Sequence, residues 1–195
     1  MEKNVFLSQQ PQVIFSGDKA LVLLNEQKII EQLGSMGDDG SKEPAALPER
    51  TSYEYTCHWL TLPHGASDMS AVLQAAKEKV VEEITEYDSS STVNSFLLNG
   101  MQVWLDKATR VGLMNSTTIA KNMGQQKTTL WLGSYQLEVD CDKAIQLLSA
   151  LEMYALECFN VTAAHKKAVN ELDNIEAVLT YDYRTGYPKM LEMSV

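Results

Sequence analysis

The chain has 195 residues, 45% apolar and 22% charged, with 26 acidic against 16 basic side chains and a formal net charge of −10. This length and balance describe one globular domain or two small ones, long enough to bury a core without disulfides or metals. The acidic surplus argues against nucleic acid and anionic membrane surfaces as partners, since both require clustered Lys and Arg.

No apolar run approaches the roughly 20 residues needed to cross a bilayer. The opening MEKNVFLSQQPQVIF lacks the unbroken apolar segment and cleavage site of a secretory leader. Three widely spaced cysteines, Cys57, Cys141 and Cys158, are too few and odd in number for a disulfide scaffold, so the expectation is free thiols in a reducing cytoplasm. Cys57-His58 followed by His64 is the nearest approach to a metal cluster. Its spacing matches no zinc pattern, and no metal or cofactor is expected.

Residues 1–33 begin with two short apolar stretches, Val5–Leu7 and Val13–Phe15, on either side of Pro11. Leu21, Leu24, Ile29 or Ile30 and Leu33 then recur near helical spacing, which predicts a short helix capped by Ser16 or Asp18 and ended by Gly34. The segment SMGDDGSKEPAALPER that follows is rich in Gly, Asp, Ser and Pro and reads as a linker, or as a long surface loop inside one domain. Residues 1–50 are therefore expected to form an N-terminal arm with a short helix and a Pro/Gly linker.

Residues 51–87 read as a strand and a helix. Tyr53, Tyr55, Cys57 and Trp59 alternate with polar residues, which puts the large side chains on one face of a strand from Thr51 to Leu62. Beyond the Pro63-His64-Gly65 turn, Ser67 or Asp68 caps an amphipathic helix whose stripe is Val72, Ala76, Val80 and Ile84. Val72 and Val80 on that stripe are candidates for contact with a neighbouring subunit.

Residues 88–195 are expected to form a C-terminal α+β domain. Asn99-Gly100 between two apolar arms supplies the positive φ angles of a type I′ hairpin. Asp106 then caps a helix running through Arg110, Leu113, Ile119 and Met123 to Gly124. A second hairpin turns at Gly133-Ser134, and the longest helix runs from about Asp142 to Leu172. Its apolar stripe is Ile145, Leu148, Leu151, Tyr154 or Ala155, Cys158 and Val161. Asp173-Asn174 breaks it before a short helical piece. The fold class is thus α+β, with small β-hairpins packed on a long C-terminal helix and one or two further helices.

Asn99-Gly100, Val103-Trp-Leu-Asp106 with Arg110, a Trp-Leu-Gly hairpin and the run LEMYALECFNVTAAHKKAV…YDYRTGYPKML resemble the phage and prophage domain of unknown function 4376, in the form found in Bacteroidales phages. The resemblance covers residues 88–193. It implies a non-enzymatic, virion-associated protein of a tailed phage, in tail or capsid, that works through contacts with other phage structural proteins and as a homo-oligomer. A cytoplasmic chaperone for tail-fibre assembly is the alternative it leaves. It assigns no catalytic residue. The matched positions read as architectural: Asn99 and Gly100 for the turn, Asp106 for the cap, Trp104 and Trp131 for packing.

An enzymatic reading would pair Cys158 with His165. Seven residues along one helix separate them by about 10 Å, too far for a shared hydrogen bond. Asp140, expected to cap the long helix, and Asp142 are explained by helix capping and dipole complementarity at its start. Tyr181, Tyr183 and Tyr187 with Arg184 have the composition of an interface, and equally of a C-terminal strap packed over the domain's own helices. Charge is unevenly spread: residues 1–100 carry 7 basic and 15 acidic side chains, and residues 101–195 carry 9 and 11. The acidity belongs to the N-terminal half, which suggests a basic patch on its partner.

Overall fold

The computed structural model describes residues 2–32 and 49–194. The expected linker, the helix end at Gly34 and Leu33 fall outside the described residues, except that Glu49 and Arg50 already belong to a strand. The chain divides into two compact units: residues 1–79 with 173–180, and residues 80–172 with 181–195.

The first unit is built on a four-stranded antiparallel sheet of β1 (Glu2–Phe6), β2 (Val13–Ser16), β3 (Lys19–Gln32) and β4 (Glu49–Thr61), in the order β1-β4-β3-β2. The helix expected over residues 18–33 is therefore corrected to strand β3. Gly17, at φ +61°, and Asp18 form the two-residue turn between β2 and β3, and do not cap a helix. Ala20, Leu21, Val22, Leu23 and Leu24 are all buried, as they must be in a strand covered on both faces. Asn25 takes a positive φ of 53° beside a register shift between Leu24 and Gln27. That irregularity moves the later isoleucines out of phase with the two-residue alternation and produces the false helical spacing.

β4 is the expected strand, and it pairs with β3 from Lys19–Thr61 to Gln32–Glu49. One sheet thus spans the boundary placed at residue 50. Tyr55 and Cys57 join Leu21 and Leu23 in a core with Phe6, Ile14 and Tyr53, whereas Trp59 is half exposed. The Tyr55 hydroxyl donates to Glu26 Oε2 at 2.8 Å and accepts from the Gln10 amide at 3.0 Å.

Helix α1 (Met69–Asp88) starts where Asp68 Oδ1 accepts the Ala71 amide at 2.9 Å, and the division between the units falls within it. Its stripe is Val72, Ala76, Val80 and Ile84, each buried inside the chain. Val72 (0% exposed) and Val80 (3%) are consumed by intramolecular packing, which corrects their reading as contacts for a neighbouring subunit.

The second unit contains β5 (Ser95–Leu98), β6 (Met101–Trp104), α2 (Lys107–Asn122), β7 (Lys127–Leu132), β8 (Tyr135–Asp140) and α3 (Cys141–Glu171). α4 (Ile175–Leu179), capped by Asn174, belongs to the first unit, and β9 (Leu191–Met193) to the second. Asn99 and Gly100 at φ 51° and 81° give the type I′ turn between β5 and β6. β9 adds to β5 in parallel, giving the order β6-β5-β9, while β7 and β8 form a separate hairpin. The architecture is α+β, with the hairpins packed on the long helix α3. Phe96, Leu98, Val103, Leu105, Leu130, Leu132 and Val139 meet Ala144, Leu148, Leu151, Tyr154 and Cys158 in one core.

Candidate functional site

Two places in the second unit gather aromatic side chains. The first is the segment from Tyr181 to Pro188, which lies over the chain's own helices. The Tyr87 ring meets Tyr183 and Tyr187 edge-on, at centroid distances of 5.8 and 5.5 Å. The Tyr187 hydroxyl lies 3.0 Å from Thr162 Oγ1, which donates to Asp88 Oδ1 at 2.8 Å. His165 Nε2 is 2.9 Å from the Thr185 carbonyl and Nδ1 is 2.8 Å from the Tyr181 hydroxyl. A carbonyl only accepts, so Nε2 carries the proton, and in the neutral ring Nδ1 accepts from the tyrosine. Arg184 stands exposed, 5.6 Å over the Tyr183 ring. This arrangement is the strap of the two readings left open by the sequence: Tyr181, Tyr183 and Tyr187 are half-buried against α1 and α3.

The second place is a groove of about 590 Å³. Its walls come from the end of α1 (Asp88, Ser89), Asn94, the stretch Trp104-Leu105-Asp106-Lys107, Arg110 of α2, and Glu152, Ala155, Leu156 and Phe159 of α3. Trp104 and Trp131, expected to serve in packing, are 40% and 56% exposed. The strand alternation sets this exposure. Val103 and Leu105 flank Trp104 and are buried, as are Leu130 and Leu132 beside Trp131, so each tryptophan falls on the opposite face. Trp104 thereby joins Leu156 (48% exposed) and Phe159 (59%) around the groove.

Asp106 acts as the expected cap, accepting the Thr109 amide at 2.9 Å and the Thr109 hydroxyl at 2.7 Å. The Thr109 hydroxyl, and then its amide, hold the carboxyl below the usual carboxylate range. Arg110 is 93% buried: its Nε donates to Glu152 Oε1 at 2.9 Å and its Nη1 to the Leu105 carbonyl at 2.8 Å. A guanidinium offers more N–H donors than these two, and among the described residues Nη2 has no protein acceptor. Asn94 Nδ2 donates to the Asp88 carbonyl at 2.7 Å, while its buried Oδ1 has no partner.

Trp104, Asp106 and Arg110 stand out in the sequence but their grouping does not, and Glu152, Leu156 and Phe159 belong to no site motif there. A signal was present: Leu156 and Phe159 lie off the buried Leu148–Leu151–Tyr154–Cys158 stripe, on a face that periodicity assigns to water.

Nucleophilic chemistry finds little support around these groups. Cys158 is fully buried 3.7 Å from the Val93 carbonyl, which also accepts the Tyr154 hydroxyl at 2.8 Å. Burial pushes the Cys158 thiol up, away from the reactive thiolate. Both ring nitrogens of His165 are engaged within the strap. No group of His, Cys, Asp and Glu that could hold a metal occurs among the described residues, and none of their helices is long and apolar enough to cross a membrane. Compared with known proteins, the chain matches no family model, no curated protein and no solved structure.

Proposed function

We propose that this chain is a non-enzymatic, virion-associated protein of a tailed phage that acts through protein–protein contacts. The phage assignment rests on the resemblance of residues 88–193 to the phage domain of unknown function. The contact role is carried by one observation: Trp104, Leu156 and Phe159 stand exposed around a single groove. Large apolar side chains grouped at the surface are the mark of a binding face. The suppressed thiol of Cys158 and the engaged imidazole of His165 support the same reading over an enzymatic one.

Mass spectrometry of purified particles and of assembly intermediates tests the proposal. The protein is expected in the particle at a fixed stoichiometry. Absence from every particle and intermediate sinks it. Co-purification with fibre protein but absence from mature particles selects the assembly-chaperone alternative. Retained infectivity in a chain carrying both Cys158→Ala and His165→Ala is the outcome expected of a non-enzymatic protein.

A further inference from the structure

We infer that the groove beside Arg110 docks an extended peptide segment bearing a large apolar side chain next to a lysine or arginine. This inference rests on the protein–protein reading above and names the chemistry of the partner.

Three properties of the walls select that ligand. The first is apolar area. Leu156 and Phe159 are three residues apart on α3, hence on one helical face, and Trp104 joins them across the groove. A cavity of about 590 Å³ with such walls takes a large aliphatic or aromatic side chain out of water.

The second property is charge. Asp88, Asp106 and Glu152 line the groove against Lys107 and Arg110, a net of one negative charge. Arg110 is already committed to Glu152. Among the described residues, Glu152 Oε2 and Asp88 Oδ2 take no hydrogen bond from the protein. A ligand cation gains from these carboxylates and from the face of Trp104. Anionic ligands meet the same carboxylates as repulsion.

The third property is the buried guanidinium. Arg110 lines the groove, its Nη2 has no protein acceptor among the described residues, and a main-chain carbonyl of an extended peptide supplies one. A nucleic acid would set its phosphates in a groove of net negative charge, and a neutral saccharide would leave that charge unused. An apolar residue beside a basic one, on a peptide main chain, uses all three properties.

The test is selection of a random-heptapeptide display library on the full chain. Enriched peptides are then synthesised and titrated by fluorescence anisotropy, with an oligosaccharide array as a parallel arm. Enriched sequences are expected to place Phe, Trp, Leu, Ile or Met beside Lys or Arg. Phe159→Asp and Leu156→Ser, both at exposed positions, are each expected to weaken binding about tenfold or more. Trp131→Ala, exposed but outside the groove, is expected to leave it unchanged. Added salt is expected to weaken binding of the basic peptides.

Enrichment of acidic or uncharged peptides overturns the inference, as does no enrichment, binding indifferent to both groove variants, or binding of saccharides alone. The two readings fail separately. A protein found in particles whose groove binds no peptide keeps the phage reading and loses the docking site. Peptide binding by a protein absent from particles does the reverse.

Discussion

The strap and the groove are both aromatic regions of the second unit, yet their rings are used in opposite ways. In the strap, the Tyr181 and Tyr187 hydroxyls have partners on α3, and Tyr183 and Tyr187 are covered by Tyr87. In the groove, Trp104 and Phe159 keep 40% and 59% of their surface open to solvent. Aromatic composition therefore does not separate an interface from a clasp. What separates them is whether the ring and its polar tip are already satisfied within the chain.

Removing a strap ring is expected to cost most. Tyr187→Ala deletes a ring packed on Tyr87 and the hydroxyl facing Thr162, and it should lower unfolding free energy by about 2–3 kcal/mol in urea titrations. A loss under ~0.5 kcal/mol would show that the strap is loosely held and return it to the interface class.

Arg110→Met comes next, at about 1–3 kcal/mol by the same titration, because it strips the Leu105 carbonyl of its donor and Glu152 of its counter-charge. Equal stability of the variant would mean that the guanidinium is retained for a ligand alone.

The two regions should also separate by pH. Burial, foremost, raises the Tyr187 phenol, and burial lifts Tyr154, on the helix α3 that the strap packs against, from an ordinary value of 10.0 to about 12. The folded state holds these protons more tightly than the unfolded chain does. For Tyr154 this stabilisation is complete below pH 10.0 and is lost as pH rises through about 12. At the groove edge, Asp106 is lowered, so its stabilisation is present above the ordinary carboxylate value and disappears as pH falls through the lowered one. Chemical denaturation as a function of pH checks both. Tyr154→Phe should flatten the alkaline limb and Asp106→Asn the acid limb, each leaving the other limb in place.

The smallest effect belongs to the groove rings. Phe159→Ala is expected to change stability by less than ~0.5 kcal/mol in the urea assay, because a ring 59% exposed has little packing to lose. A loss of about 2 kcal/mol would reveal a structural role and dissolve the contrast with the strap.

Legibility in the sequence followed how local the determinant was. The turns at Asn99-Gly100 and Gly133-Ser134 and the caps at Asp68 and Asp106 are written within a few residues, and the corresponding elements are those expected, whereas Asp140, expected to cap the long helix, makes no side-chain cap hydrogen bond. β3 was misread because its bulge near Asn25 breaks the period on which the reading depends. The outward faces of Trp104 and Trp131 follow from which neighbours are buried, which composition cannot say. The groove draws on residues from Asp88 to Phe159, so only the tertiary fold assembles it. The strap was visible as a cluster, but its partners Tyr87, Thr162 and His165 lie on elements far from it in sequence.

The parallel pairing of β9 with β5 carries a consequence for synthesis. Phe96, Leu97 and Leu98 find their partners Leu191, Glu192 and Met193 only after the ribosome has added the whole intervening stretch. Until then, the hairpin of β5 and β6 presents an apolar open edge on the side that β9 later covers. Nascent chains on neighbouring ribosomes can pair along such an edge, exchanging strands between copies.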